Sequence, residues 1–165
     1  MEPEMVPRRM DAVATHSLAE LLDCPAETGS LLSASSQSLD FEEGQVVFRQ
    51  SESCRGLFVI VSGRFLRRTE RQQMRLTLGQ ASAGDIVELA AMLGGSQHSY
   101  TLSAQTRGSV LLLPAEALNQ AFQSYPPLRM QLLEELAREV SRAYYSGNLS
   151  SMLKPRHPHT GVSLP

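Results

Sequence analysis

The stretch GDIVELAAMLGGSQHSYTLSA, Gly84 to Ala104, decides how the rest of this chain is read. A Gly-Asp turn opens it, one acid (Glu88) precedes the short apolar run LAAML, a Gly-Gly pair breaks that run, and His98-Ser99 leads into the alternating residues TLSA. The run is too short to be a stable helix by itself, so tertiary contacts must hold it. A turn, one helical turn and a strand packed this closely, between β-like segments on both sides, suit a loop that carries a site.

Outward from this stretch the period is two. LDFEEGQVVFRQ, GLFVIVSGRFLRR, MRLTLGQAS, TLSAQT and SVLLLP are short runs rich in β-branched and aromatic residues, separated by Gly, Ser and charged turns. That pattern predicts an antiparallel sandwich or barrel. In RFLRRTERQQMRLTL the charged middle reads as a hairpin tip, with Phe65 and Leu66 on one strand and Leu76 and Leu78 on the other. Arg64, Arg67, Arg68, Arg71 and Arg75 then form a solvated rim rather than a nucleic-acid patch, because Glu70 sits among them and no aromatic platform is interleaved.

Helical signals flank the β region. Ser17 and Glu20 have capping-box spacing before Leu18, Leu21 and Leu22, which predicts a helix from Ser17 to about Asp23. Pro114 opens PAEALNQAFQ, and SYPPLRMQLLEELAREVSRAYYSGN is the longest helical pattern, with Ser124 as cap and Gly147-Asn148 as the stop. Leu133, Leu136, Val140 and Ala143 make a heptad-like seam there, widened by Leu128, Leu132 and Tyr144, which implies a homodimer through this helix. Residues 1–14 and 150–165 lack periodicity and are expected to be disordered, leaving one domain over 15–149 with its long helix at about 124–149.

Bulk properties narrow the function. With 165 residues, 42% hydrophobic and 19% charged, the chain has ordinary globular composition. Its formal charge of -2 offers no general attraction to nucleic acid. No apolar run is long enough for a membrane helix and no secretory signal opens the chain, so a cytoplasmic protein is expected. Cys24 and Cys54 lack C-x-x-C spacing and read as reduced thiols, and no metal site is expected from the spacing of the cysteines and histidines. No P-loop, G-x-S-x-G elbow or paired catalytic carboxylates appear, which argues against an enzyme. A cupin metal centre would need a cluster of histidines that the segment between His16 and His98 lacks.

The order of elements resembles the cyclic nucleotide-binding domain of the catabolite activator and fumarate-nitrate reductase regulator family across about Leu39 to Asn148. FEEGQVVFRQSESCRGLFVIVSGRF is similar to that family's Phe-x-x-Gly, apolar pair, Gln and strand ending in Ser-Gly, with Gly44 and Gly63 at its turns. SAGDIVEL is similar to the Gly-Asp that introduces the phosphate-binding cassette. The resemblance implies a mainly β fold with flanking helices: a double-stranded β-helix (jelly-roll) barrel followed by a long C-terminal dimerisation helix.

The resemblance also implies a site. Gly84 introduces the cassette, Glu88 matches the glutamate that accepts from the ribose hydroxyl, and the amides of Leu89 and Ala90 open the short helix that faces the phosphate. Ser99 matches the residue after the phosphate-binding arginine, and Ala143 and Tyr144 fall where family members contact the base. The arginine itself is replaced by His98, which has no two-donor fork. Losing such a fork costs about 2–4 kcal/mol, roughly 30- to 1,000-fold in affinity. Val87 stands where the family has a glycine, and the entrance is one residue shorter. The expectation is a stand-alone sensor or regulatory module without a DNA-binding domain, with no cofactor and with weak or altered recognition of a cyclic nucleotide such as cyclic AMP. The alternatives are a protein-interaction module that has lost its ligand, working through a protein partner, and a sensor of another small metabolite.

Overall fold

The computed structural model describes residues 18–153 along the backbone; the expectations for residues 1–14 and for the segment 154–165 lie outside the described residues. A short helix α1 (18–22) leads to α2 (Ala26–Ser35). Eight strands follow: β1 (Gln37–Phe41), β2 (Val46–Phe48), β3 (Gly56–Ser62), β4 (Arg64–Arg71), β5 (Met74–Ser82), β6 (Ile86–Val87), β7 (Thr101–Ala104) and β8 (Gly108–Pro114). Helix α3 (Leu89–Gly94) lies between β6 and β7, and α4 (Ala115–Ser124) and α5 (Pro127–Leu153) close the fold.

The strands make two four-stranded sheets, in the orders β1-β8-β3-β6 and β2-β7-β4-β5. All pairings are antiparallel. The sheets are not closed into one ladder, so the expected jelly-roll barrel is corrected to an open two-sheet sandwich. The edges explain this. β6 has two residues and β2 has three, too few to carry a continuous ladder from one sheet to the other.

The apolar runs GLFVIV and SVLLLP are continuous because their sheet is buried on both faces. Phe58, Ile60, Val110 and Leu112 point into the space between the sheets, where they meet Phe48, Phe65, Ala81, Leu102 and Ala104. Leu57, Val59, Leu111 and Leu113 point the other way, onto Leu18 and Leu22 of α1, Leu32 of α2, Leu118 of α4 and Leu128 and Leu132 of α5. Each strand therefore serves two cores, and the helical layer is one of them.

The chain changes sheet at Gly63, between β3 and β4. Its φ is +82°, and a Cβ there would stand 2.6 Å from the carbonyl oxygen of Arg107. Only glycine suits both the conformation and the close approach. The β4–β5 hairpin turns on Gln72 and Gln73, with φ of 50° and 65°, the two positive values of a two-residue I′ turn. Register is even on its outer part, with Arg71 opposite Met74 and Thr69 opposite Leu76, and slips once between Arg67 and Arg68.

Helix α2 has no counterpart in the sequence reading. AETGSLLSAS mixes good helix formers with Thr, Gly and three serines and lacks a clear apolar period, and its order comes from packing: Leu32 is fully buried, and a Cβ on Gly29 would stand 2.7 Å from the Cβ of Ala19. At the other end, Ser124 does not cap α5. It is the last residue of α4, its hydroxyl donating to the Gln120 carbonyl. Nor does Gly147-Asn148 stop α5, which runs on to Leu153.

Candidate functional site

The stretch from Gly84 to Ala104 folds as a unit against β3 and the β2–β3 loop. The Gly84 amide donates to Ile60 and the Ile60 amide donates to Asp85, which anchors the turn before β6. Val87 stays in extended β6 and is almost fully buried. The positive φ falls one residue later, on Glu88 (φ 77°, ψ 25°). The feature expected to resist a left-handed backbone, a β-branched residue, thus avoids it, and a glutamate takes that conformation at the start of α3, at a cost of about 1 kcal/mol or more.

That turn directs Glu88 inward. Its carboxylate Oε2 accepts from Nδ1–H of His98 at 2.5 Å, and the two residues are only 5% and 3% exposed. The imidazole is stacked on Phe48 with 3.9 Å between ring centres and 10° between planes, with Phe58 at 6.1 Å. Burial, then the charge of the nearby Glu88, pushes the Tyr100 hydroxyl far above its ordinary range. So the glutamate and the histidine of the cassette meet each other beneath α3.

The β2–β3 loop completes this region. Ser51 N–H donates to His98 O at 2.8 Å, His98 N–H donates to Glu52 O at 2.9 Å, and Ser53 bridges Gln97. These bonds bring the half-buried Cys54 alongside, and donor atoms of Cys54, Glu88 and His98 all lie within 4.8 Å of one another. Burial, together with the Glu88 charge, raises the Cys54 thiol pKa, against the opposing effect of its contact with the Gly56 carbonyl. Cys24 lies elsewhere, and both cysteines are free.

A cavity of about 950 Å³ lies between the β4–β5 sheet and α5, with Gly84, Asp85, Ile86 and Leu89 on one side and Arg67, Leu78, Gln80 and Tyr100 on another. Of the expected site residues, Gly84 and Leu89 line it. Ala90 and Ser99 are exposed and outside its lining; the Ser99 carbonyl accepts from the Thr69 hydroxyl. Glu88 and His98 are also outside the lining. Ala143 and Tyr144 lie on α5, and their side chains are outside the described residues.

The residue that sequence reasoning missed here is Arg67. Assigned to a solvated rim, it instead turns into the cavity, its guanidinium carbon 5.8 Å from the centre of the Tyr100 ring. Its Nε is buried without a hydrogen-bond partner. The register slip lies on β5, where Leu78 is left over between Thr77 and Gly79, and the rim beyond it carries Arg75, paired with Glu70 at 3.0 Å. Alternation along β4 places Arg67 in phase with the buried Phe65 and Thr69, while Arg68 is exposed. Three arginines, Arg67, Arg138 and Arg142, face five carboxylates around the cavity: Asp23, Asp85, Glu134, Glu135 and Glu139. That excess of acid opposes an anionic guest.

Comparison with known proteins places this geometry. A family model described as "Cyclic nucleotide-binding domain" matches residues 38–125, more than half of the chain. Patatin-like phospholipase domain-containing protein 7 of Rattus norvegicus is 25% identical over 112 residues, 67% of this chain. Among solved structures, the catabolite activator protein of Thermus thermophilus superposes with a TM-score of 0.66 at 23% identity, over 76% of this chain and 59% of that one. A cyclic nucleotide-binding domain from Methylobacillus flagellatus superposes with a TM-score of 0.72 at 16% identity, over 88% of this chain and 86% of that one. The chain spans 8% of the length of the curated phospholipase-domain relative. The matched family is described as a binding domain. Among the described residues no helix is long and apolar enough to cross a membrane. With its two sheets, its β6–α3 cassette and its closing helices, the chain belongs to the cyclic nucleotide-binding domain family.

Proposed function

We propose that this chain is a regulatory module of the cyclic nucleotide-binding type whose cassette no longer takes up a cyclic nucleotide with useful affinity. The observation that carries the reading is the buried pair of Glu88 and His98. The carboxylate that would accept from a ribose hydroxyl accepts instead from the residue standing where a phosphate-binding arginine is expected. The acidic lining of the neighbouring cavity supports the same reading, because a cyclic phosphate carries negative charge.

The output of such a module is an interaction. On α5, Leu128 and Leu132 are spent on the core and Leu136 packs partly against it, whereas Met130 and Val140 are 58% and 59% exposed. With Leu133 and Ala137 they form a second, outward seam at helical spacing, which supports a homodimer through this helix.

Calorimetric titration with cyclic AMP and cyclic GMP tests the ligand reading. No saturation is expected below about 1 mM, and saturation at micromolar concentration would overturn it. In His98→Arg, a guanidinium restored to this position is expected to strengthen cyclic AMP binding by roughly 30-fold or more. No gain would locate the defect in the shortened turn at Val87 and Glu88 and favour a module that works through protein contacts alone.

A further inference from the structure

Cys54, Glu88 and His98 come from three separate parts of the chain, the β2–β3 loop, the turn into α3 and the approach to β7, and only the fold brings them together. Each offers one donor atom, and those atoms lie within 4.8 Å of one another. We infer that this cluster is a binding site for a divalent transition-metal ion of the zinc class, held by the Cys54 thiolate, the Glu88 carboxylate and the His98 imidazole.

The donor set fits the ion. Sulfur, imidazole nitrogen and carboxylate oxygen are the three protein ligand types of zinc, with bonds of about 2.3, 2.0–2.1 and 2.0–2.2 Å. Tetrahedral angles then set donor atoms about 3.5 Å apart, so closure on an ion asks for side-chain movements on the order of 1 Å. On binding, Cys54 gives its thiol proton to water and ligates as thiolate, and His98 ligates through a ring nitrogen that carries no hydrogen, either Nε2 or Nδ1 after its proton has moved to Nε2. A thiolate and a carboxylate together carry two negative charges, which a divalent ion neutralises where an unbalanced buried charge would be costly.

The surroundings are already those of a held site. The imidazole plane is fixed by its stack on Phe48 at 3.9 Å, and Tyr100 lies beside Glu88 as an outer neighbour. Such outer contacts orient ligands and strengthen metal sites. There is also a way in. Cys54 lines a second cavity of about 540 Å³ together with Ser53, Gln97 and residues of α3. Of the three donors, Cys54 is the one this cavity reaches. Three protein ligands leave a fourth position for water or a small anion.

The site does not depend on the cyclic nucleotide reading and is tested separately. The full reduced chain, stripped with chelator, is titrated with cobalt(II) and then with zinc. The expected result is one equivalent of cobalt giving a thiolate-to-metal charge-transfer band, bleached by one equivalent of zinc. Cys54→Ser is expected to abolish the band and weaken zinc binding by roughly 100-fold or more, while Cys24→Ser and the double variant His157→Ala with His159→Ala keep both. In the unmodified protein, zinc is expected to protect Cys54 and not Cys24 from alkylation, read by mass spectrometry, which tests the site without any substitution. No thiolate band, a band that survives Cys54→Ser, or equal alkylation of Cys54 with and without zinc would overturn the assignment.

Discussion

Replacing His98 by alanine tests the buried pair most directly. In the folded protein the Glu88 carboxylate is nearly sealed from water, and His98 Nδ1–H is its closest partner at 2.5 Å. Removing the imidazole leaves that charge without this partner, and breaking a buried pair in this way costs about 3–5 kcal/mol. The lost stack on Phe48 adds about 0.5–1.5 kcal/mol. A total near 4–5 kcal/mol is large against the roughly 5–15 kcal/mol that hold a typical domain, and it should lower the urea midpoint by about 2 M at an ordinary slope. The second half of the test is Glu88→Gln in the same His98→Ala background. A neutral amide needs no counter-charge, so about 2 kcal/mol should return. Urea unfolding followed by far-UV circular dichroism reads both variants. A loss under about 1 kcal/mol for His98→Ala, or a double variant less stable than the single one, would refute a charge held by this pair.

Three further outcomes follow from the fold. Burial raises the Glu139 pKa on α5 above its ordinary 4.5, with Glu135 and Asp85 adding to the shift and Arg67 and Arg142 opposing it. The folded state therefore binds this proton more tightly than the unfolded chain, and the stability it contributes is full below pH 4.5 and lost as pH rises through the raised value. Glu139→Gln should be more stable than the parent at pH 7 and lose that advantage by pH 4, read from urea midpoints at the two pH values. In the β4–β5 hairpin, Gln72→Asn with Gln73→Gly suits the two positive φ values and should add about 1 kcal/mol, seen as a rise of about 3 °C in Tm. Val140→Asp puts a charge on the exposed seam of α5; light scattering should show a dimer for the parent and a monomer for the variant, and a parent that is monomeric at micromolar concentration rules out this interface.

How far the residues alone reach can be seen element by element. MRLTLGQAS is a strand from Met74 to Ser82 because its turns and its period are local properties. Pro114 stands immediately before α4 because proline tolerates the start of a helix and not its interior. By contrast, AETGSLLSAS becomes α2 through contacts with α1 and α4 that no local signal announces. Gly147-Asn148, a good local stop, is overridden within a continuous helix. Arg67 and Arg68 are adjacent and alike in sequence; strand alternation puts Arg67 on the face of Phe65 and Thr69, and only the packing of α5 opposite makes a cavity there.

The same division runs through the site. Local sequence determined most of the strands and the β4–β5 hairpin, since each depends on residues a few positions apart. Tertiary structure decided that the sheets stay open, that the left-handed turn falls on Glu88, and that Glu88 spends its carboxylate on His98. It also decided that Cys54, more than thirty residues before either, stands beside them. The physical reason is that backbone preference and hydrophobic period act over one turn or one strand. Sheet edges, buried charge pairs and clusters of donor atoms exist only when segments distant in the chain are brought to within a few ångströms.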